Sequence, residues 1–191
     1  VETNTIGALL GTKNILNACK ANKVKKLIIV STDKAAYPTS DMGKSKRKAE
    51  NLALTFNEKA KNPATKISCV RFGNVLGSRG SVIPRFIKQI NSKKLIHLSS
   101  KNMTRFVMTI DDAVRLIFKS LKLMKGSEIF IFKSMYSIKI LDLAEVLKKF
   151  YSKHIKNIRI KITGVSVKEK FSEILMTEKE YKFSIEKNDM Y

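Results

Sequence analysis

The feature that most constrains this fold is the way the spacing of apolar residues changes along the chain. Residues 4–22 carry apolar side chains at helical spacing, and a short β-branched run follows at residues 26–31. The order repeats, with a helical pattern over residues 42–61 and the strand-like segment KISCVRF at residues 66–72. Strands that alternate with helices favour a parallel sheet, and a run as apolar as the first is typical of a buried strand. We therefore predict an α/β fold with helices on both faces of a parallel sheet.

The rest of the chain continues this alternation, without an internal repeat or a low-complexity linker. Further helices are predicted at about residues 84–90, 111–124, 140–151 and 168–177. Further strands are predicted at residues 128–132 and 157–163. The segment after Tyr181 is polar, and we expect it to be loose.

Capping signals refine two of the helix boundaries. The N-cap candidates for the helix at residues 42–61 are Thr39, Ser40 and Asp41. Pro38 prevents an earlier start, and Asn62-Pro63 is expected to end that helix. Asp111 is expected to cap the helix that follows it.

The basic charge of the chain does not indicate a nucleic-acid partner. The formal net charge is +22, but only 7 of the 38 basic residues are arginines, and the lysines are spread along the whole chain. No zinc-finger spacing, basic heptad array or RNA-binding aromatic motif accompanies them. We therefore expect no nucleic-acid partner, and anionic small substrates fit the charge as well.

The sequence predicts a cytoplasmic protein. No apolar run approaches the roughly 18–20 residues that span a bilayer, and no secretory signal is visible. Cys19 and Cys69 lack metal-ligand spacing, and we expect both to be free thiols. The chain opens within a helical pattern and without Met, so we expect it to belong to a longer protein. Membrane association, at the cytoplasmic face, is expected only through upstream segments.

Polar residues follow two of the predicted strands, at VSTDK (30–34) and VRFGNVLGSRG (70–80). Ligands of open parallel sheets bind beyond the carboxyl ends of the strands. The carboxylate and ammonium of the Thr-Asp-Lys triplet can supply an acid and a base to one pocket. A surface salt bridge beside a helix cap fits the same spacing. Lys46, on the next helix, has several basic neighbours and on spacing alone is a solvated lysine.

Three glycines after the second of these strands, Gly73, Gly77 and Gly80, do not form a dinucleotide fingerprint. That motif requires an acidic residue about 20 positions later to bind a ribose. Lys93 and Lys94 stand there instead. The glycines fit a tight strand-to-helix turn and a ligand-contacting loop equally well.

Three longer segments together resemble a known family. They are STDKAAYPTSDMGKSKRKAE (31–50), VRFGNVLGSRGSVIPRF (70–86) and MTRFVMTIDDAV (103–114). In this order they are similar to the extended short-chain dehydrogenase/reductase superfamily, and specifically to nucleotide-sugar 4,6-dehydratases of the CapD-like polysaccharide biosynthesis family. The resemblance runs from about residue 1 to about residue 180.

The resemblance implies a Rossmann-like fold and a specific reaction. Residues 1–80 would form the C-terminal part of an NAD-binding domain, and residues 81–191 a small α/β substrate-binding region with returning Rossmann elements. The cofactor would be NAD rather than NADP, and the substrate a UDP-N-acetylhexosamine, in practice UDP-N-acetylglucosamine. Hydride leaves C4, the C5 proton is removed, water leaves from C6 and hydride returns there. A homo-oligomer is also implied.

The resemblance assigns roles to the residues after the first strand. Lys34 would be the base at C5, and Asp33 the acid for the departing 6-hydroxyl. Thr32 would bind near the 4-oxygen. Lys46 would hold the nicotinamide ribose and act electrostatically on its neighbours.

The other implied residues bind ligands. On the cofactor side they are Ser31, Phe72 and Gly73, together with Lys46. On the substrate side, Asn74 would contact the sugar or a phosphate, Val82, Ile83 and Pro84 the uridine, and Arg105 the diphosphate.

Two positions depart from the family pattern. Met42 occupies the catalytic position where the superfamily has a tyrosine, and a thioether cannot take a proton; a methionine there resembles one membrane-anchored branch of the family. Tyr37 is out of register as a replacement. Residues 166–169 stand where the family usually carries Arg-Pro-Gly-Glu, so that Lys168 or Lys170 would have to replace the arginine.

The sequence therefore predicts an NAD-dependent UDP-N-acetylglucosamine 4,6-dehydratase of surface-glycan synthesis. A nucleotide-sugar 4-epimerase of the same fold is the nearest alternative, although it is expected to keep the tyrosine and to lack the Asp-Lys pair. A non-catalytic nucleotide-sugar-binding module is the alternative from another class.

Overall fold

The computed structural model describes residues 2–57 and 64–191, without the side chains of residues 2–6 and 93. The helices are α1 (Glu2–Ala21), α2 (Asp41–Thr55), α3 (Val82–Lys93), α4 (Ile110–Leu123), α5 (Ile140–Tyr151) and α6 (Glu178–Lys182). The strands are β1 (Lys26–Thr32), β2 (Lys66–Phe72), β3 (Asn74–Val75), β4 (Leu95–Leu98), β5 (Thr104–Met108), β6 (Ile129–Phe130), β7 (Tyr136–Lys139) and β8 (Arg159–Ile162).

The chain divides into two compact units. Unit 1 comprises Val1–Phe72, Asp111–Ser134 and Ile174–Tyr191, and unit 2 comprises Gly73–Ile110 and Met135–Glu173. The chain passes from unit 1 to unit 2 and back twice. The assignment of residues 1–80 and 81–191 to a cofactor-binding part and a substrate-binding region stays a prediction.

Unit 1 is built on a parallel sheet with the strand order β1-β2-β6. The first two strands pair along their whole length, and α1 and α2 pack side chains against the sheet in a core that contains Leu16, Ala53, Ile67 and Cys69. The predicted α/β architecture with a parallel sheet is confirmed. The expectation that the first strand is fully buried is wrong, because it pairs on one side only within the described chain and leaves Val30 41% exposed.

Unit 2 contains two small sheets. One has the order β3-β5-β7, in which β5 and β7 are antiparallel, and the other pairs β4 with β8 in parallel. Helices α3 and α5 supply Phe86, Ile90, Ile140 and Ala144 to its apolar core. Strands β3, β4, β5 and β7, of two to five residues, are absent from the prediction. The equally short β6 and β8 are predicted because they lie within longer strand-like segments, at residues 128–132 and 157–163.

The predicted helix at residues 168–177 is wrong. The described backbone there forms turns and bends, and the helix is α6, which begins at Glu178. Thr177 sets this start with a capping box, since its hydroxyl accepts from Glu180 N at 3.2 Å and its own amide donates to the Glu180 carboxylate at 2.7 Å. Reciprocal capping of this kind outweighs the weak helical pattern before it.

The expectation of a loose C-terminal tail is also wrong. Tyr191 and Ile131 exchange two backbone hydrogen bonds, of 2.9 and 3.1 Å, and Lys133 N donates to Asp189 O at 2.8 Å. Met190 is 2% exposed. These backbone bonds, the burial of Met190 and an ion pair between Lys119 and Asp189 hold the tail in place.

The capping predictions have mixed outcomes. Ser40 is the N-cap of α2, with its hydroxyl accepting from Gly43 N at 3.1 Å. Asp111 is not a cap, because α4 begins one residue earlier; it lies in the first turn, where a carboxylate favours the helix dipole. The predicted end of the second helix at Asn62-Pro63 lies outside the described residues.

Both cysteines are free thiols, as predicted. Burial raises the pKa of the Cys69 thiol to about 12, with a further contribution from Glu50, so this thiol is unreactive. Within the part of the chain that the structure describes, no helix has both the length and the apolar character needed to cross a bilayer.

Candidate functional site

The Thr-Asp-Lys triplet forms a hydrogen-bonded cluster where β1 ends. The chain turns into a single 3-10 turn at Asp33–Ala35, and Thr32 precedes it in an extended conformation. Thr32 Oγ1 donates to Asp33 Oδ1 at 2.8 Å, and Lys34 Nζ donates to the same oxygen at 2.9 Å. One carboxylate oxygen therefore serves a hydroxyl and an ammonium together.

The other carboxylate oxygen of this cluster lacks a partner. Asp33 is 0% exposed, and its Oδ2 has no hydrogen-bond partner among the described residues. The hydroxyl of Ser31, which is 4% exposed, also has no hydrogen-bond partner among the described residues. Buried polar atoms are costly to leave unpaired, so two of them within three residues indicate a place where a ligand supplies hydrogen bonds. The burial of Asp33 also excludes a simple surface ion pair.

Helix α2 brings Lys46 to the same strand. Lys46 Nζ donates to Val30 O at 3.3 Å, so its ammonium lies beside the end of β1 rather than only in solvent. Met42 lies one turn earlier on the same helix face and is 49% exposed. The hydroxyl of Tyr37, considered above as a substitute for the missing tyrosine, accepts from Glu178 N at 3.1 Å.

Gly43 controls how closely α2 approaches the triplet. A Cβ at this position would lie 2.7 Å from the carbonyl oxygen of Lys34. We expect Gly43→Ala to lower stability by roughly 1–3 kcal/mol, because the backbone of the candidate site must move. Gly11→Ala in α1 is the control, because a Cβ at Gly11 would meet nothing within 4 Å. We expect this substitution to raise stability by roughly 0.5–1 kcal/mol. Thermal unfolding measures the change in stability of each variant. Changes of the same sign in the two variants would contradict the expectation.

The glycine loop has structural causes at each glycine. A Cβ at Gly73 would lie 2.8 Å from the carbonyl oxygen of Phe106, so the close approach of that backbone requires glycine. Gly77 and Gly80 have φ of +72° and +77°, which glycine adopts without strain. The turn conformation therefore accounts for Gly77 and Gly80, and the close approach of Phe106 accounts for Gly73. A contact of Gly73 with a cofactor stays a prediction.

Unit 2 contains the residues assigned to the substrate side. Asn74 lies in β3 opposite Val107, and the implied uridine-side residues, Val82, Ile83 and Pro84, form the first turn of α3. Arg105 in β5 is 8% exposed and donates to the carbonyl oxygens of Thr104 at 2.7 Å and Phe171 at 3.2 Å. Its guanidinium also lies 3.8 Å from the carboxylate of Glu169, in the segment where the family arginine is missing.

Of the two lysines considered as replacements for that arginine, Lys170 is committed elsewhere. Its Nζ lies 2.7 Å from the Glu173 carboxylate, and its side chain is 18% exposed. Lys168 is exposed. The diphosphate roles of Arg105 and Lys168 stay predictions.

A buried charge cluster in unit 1 is absent from the sequence predictions. Arg71, in β2, is 0% exposed and donates to the carboxylates of Glu50 and Glu180 and to the carbonyl oxygen of Leu175. Arg47 also donates to Glu180, at 2.6 Å. The sequence signal was available, because an arginine within an otherwise apolar strand requires buried partners.

Glu180 in this cluster makes stability depend on pH. Burial alone would raise the pKa of Glu180, but the hydrogen bonds from Arg71 and Arg47 lower it from 4.5 to about 2. The stabilisation is therefore complete above about pH 4.5 and is lost as the pH falls through 2. We expect Glu180→Gln to unfold with roughly 2–3 kcal/mol less free energy near pH 7, and to converge with the parent protein near pH 2.

Urea unfolding at a series of pH values measures this difference. Glu178→Gln is the matched control, because it makes the same change at an exposed position of the same helix. We expect the control to follow the parent protein throughout. A loss for Glu180→Gln that is constant from pH 7 to pH 2 would show that the carboxylate charge is not its cause.

Known proteins resemble this chain over all or most of its length. A family model described as "Polysaccharide biosynthesis protein" matches residues 1–191. Capsular polysaccharide biosynthesis protein CapD of Staphylococcus aureus is 41% identical over 90% of this chain and 28% of its own length. A UDP-N-acetylglucosamine 4,6-dehydratase (inverting) of Campylobacter jejuni is 36% identical, and a UDP-glucose 4-epimerase of Rickettsia conorii 38%, each over 100% of this chain and 54% of its own length.

A solved structure supports the fold. The X-ray structure of Pen from Bacillus thuringiensis superposes with a TM-score of 0.88, at 40% identity, over 95% of this chain and 57% of that one. The chain thus spans between about a quarter and about half the length of the proteins it matches. Since the family model covers every residue and relatives of 36% and 41% identity match 100% and 90% of the chain, the chain belongs to the polysaccharide biosynthesis protein family.

Proposed function

We propose that the protein is an NAD-dependent nucleotide-sugar 4,6-dehydratase that acts on UDP-N-acetylglucosamine in surface-glycan synthesis. The observation that carries this proposal is the cluster at the end of β1, in which buried Asp33 binds Thr32 and Lys34 through one oxygen and keeps the other unpartnered within the described chain. Dehydration needs one group to remove the C5 proton and another to protonate the departing 6-hydroxyl. The cluster contains one candidate for each task.

Lys34 and Asp33 can exchange a proton along their 2.9 Å hydrogen bond. Transfer from the ammonium to the carboxylate leaves an amine and a carboxylic acid. The amine then takes the C5 proton, and the acid gives its proton to the 6-hydroxyl, which leaves as water. The pair is thereby returned to ammonium and carboxylate. When C6 receives hydride, the Lys34 ammonium gives a proton back to C5. The amine then regains from solvent the equivalent of the proton that the 4-hydroxyl released on its oxidation.

Thr32 is suited to binding the 4-hydroxyl group. Its own hydroxyl hydrogen is directed at Asp33 Oδ1. Its oxygen accepts from Lys34 N at 3.4 Å and has a second lone pair with which to accept a hydrogen bond from substrate. Met42 cannot accept a proton. In this proposal its exposed thioether contacts the ligand without taking part in proton transfer.

The residues at this site fit a nicotinamide cofactor. The buried hydroxyl of Ser31 has no partner in the described chain, and the ammonium of Lys46 lies beside the end of the same strand. Ser31, Lys46, Phe72 and Gly73 would hold the cofactor. Hydride exchange between C4 and C6 of the sugar is the chemistry that bound NAD supplies.

A 4-epimerase is the second candidate, because a relative at 38% identity carries that name. Two features favour dehydration. Epimerisation needs no acid for a leaving 6-hydroxyl, so it gives no function to the pair of Lys34 with buried Asp33. Met42 also occupies the position at which an epimerase of this superfamily is expected to have a tyrosine base.

Mass spectrometry of the product distinguishes these functions. The full-length protein is incubated with UDP-N-acetylglucosamine and NAD⁺, and we expect a product that has lost one water. An isomer of unchanged mass would indicate epimerisation. Ligand binding without turnover would contradict both activities and favour a nucleotide-sugar-binding module.

A further inference from the structure

The guanidinium of Arg71 is saturated with hydrogen bonds. Its Nε and one terminal nitrogen donate to the two oxygens of Glu50, at 2.9 and 2.8 Å. The terminal nitrogens also donate to both oxygens of Glu180, at 2.9 Å each, and to the carbonyl oxygen of Leu175 at 2.8 Å. These five bonds engage all five N–H donors that an arginine has. Arg71 is therefore unsuited to binding substrate or cofactor directly.

The location of Arg71 connects it to the candidate site. In the paired strands it stands opposite Ser31, one residue before the strand ends at Phe72. Its partner Glu50 lies in α2, one helical turn after Lys46. The Arg71–Glu50 pair thus attaches α2 to the sheet one turn away from the ammonium that reaches β1.

The chemistry of the Arg71–Glu50 pair is better suited to fixing the orientation of α2 than to stabilising the fold. Fully burying an arginine and a glutamate is costly, and an apolar pair would attach a helix to a sheet at least as strongly. A bidentate guanidinium–carboxylate pair is directional, however, and admits little rotation or sliding of the helix that carries the carboxylate. Lys46, with its long and flexible side chain, depends on the placement of that helix.

We propose that Arg71 is a positioning residue that acts through Glu50 to hold Lys46 of α2 in its working place at the end of β1. The inference rests on the proposed function, in which Lys46 holds the nicotinamide ribose. It predicts that the bond to Glu50 matters for cofactor binding and turnover, whereas the bond of similar length to Glu180 does not.

Two glutamate variants of the full-length protein test this prediction. Glu50→Gln and Glu180→Gln make the same chemical change in two carboxylates that bind the same guanidinium, but only Glu50 belongs to α2. Arg71→Lys keeps the positive charge but removes the bidentate donor geometry of the guanidinium. The measurements are NAD⁺ affinity by calorimetric titration, kcat and KM for UDP-N-acetylglucosamine, and the unfolding midpoint. All assays run well below that midpoint.

We expect Glu50→Gln and Arg71→Lys to weaken NAD⁺ binding at least fivefold and to lower kcat at least tenfold. KM for the sugar nucleotide should stay within threefold, and Glu180→Gln should stay within threefold in every binding and kinetic constant. Parent-like affinity and kcat in Glu50→Gln would overturn the proposal. Equal losses in the two glutamate variants would overturn it too, by showing a general structural role.

The proposed function can fail separately from this inference. If the parent protein binds NAD⁺ but does not convert the sugar nucleotide, the dehydratase assignment is wrong, and the titration still decides the role of Arg71. If the parent protein does not bind NAD⁺, both are wrong.

Discussion

Replacing Lys34 by alanine in the full-length protein is expected to lower kcat for dehydration by about 10²–10⁴-fold, the usual contribution of a general base. The amine that removes the C5 proton is lost, and Asp33 loses the donor that supplies its proton across 2.9 Å. KM for the sugar nucleotide should change much less, since the proposed contacts of the nucleotide lie elsewhere. Steady-state kinetics with product analysis by mass spectrometry measures both constants.

Lys44→Ala is the matched control for this experiment. Lys44 is an exposed lysine of α2, ten residues after Lys34, and its removal should leave kcat unchanged. Added primary amines should restore part of the activity of Lys34→Ala, because a small amine can enter the space left by the side chain. Undiminished turnover in Lys34→Ala would exclude this lysine as the base and would mean that another group removes the C5 proton.

The sequence predicts the longer helices and strands of this fold well, but not the short strands of unit 2. The strand KISCVRF and the helix at residues 140–151 occur at the predicted residues, because each has a clear period and an abrupt end. The helix predicted at residues 168–177 fails because Thr177 and Glu180 form a reciprocal cap that starts α6 at Glu178. Such a cap was readable as Thr-x-x-Glu, but periodicity alone does not contain it.

In the candidate site, too, some features follow from local sequence and others depend on tertiary packing. Thr32, Asp33 and Lys34 are consecutive, so their meeting at a strand end follows from local sequence and the parallel sheet. Whether Asp33 is a surface residue or a buried one depends on packing, and the spacing left that open. The partners of Arg71 are 21 and 109 residues away, so no local pattern identifies them. Sequence reasoning indicates only that such an arginine needs acceptors.

Replacing Arg71 by leucine is expected to lower the free energy of unfolding by about 3–5 kcal/mol, the usual cost of removing one partner of a buried ion pair. Glu50 is 0% exposed and would lose its bidentate donor. Urea unfolding measures the loss. Arg47→Leu is the matched control, because Arg47 binds the same two glutamates but is 29% exposed, so its loss should stay within about 1 kcal/mol.

A double variant identifies the cause of that loss. If the uncompensated charge of Glu50 is responsible, adding Glu50→Leu to Arg71→Leu removes it and should recover more than half of the lost stability, because two apolar side chains can replace a buried ion pair. If the loss comes instead from the space that the guanidinium filled, the second substitution leaves another gap and lowers stability further. A double variant less stable than Arg71→Leu would therefore contradict the electrostatic account. The double variant could also recover stability and still bind NAD⁺ weakly. That result would show that an apolar pair attaches α2 to the sheet but does not orient Lys46.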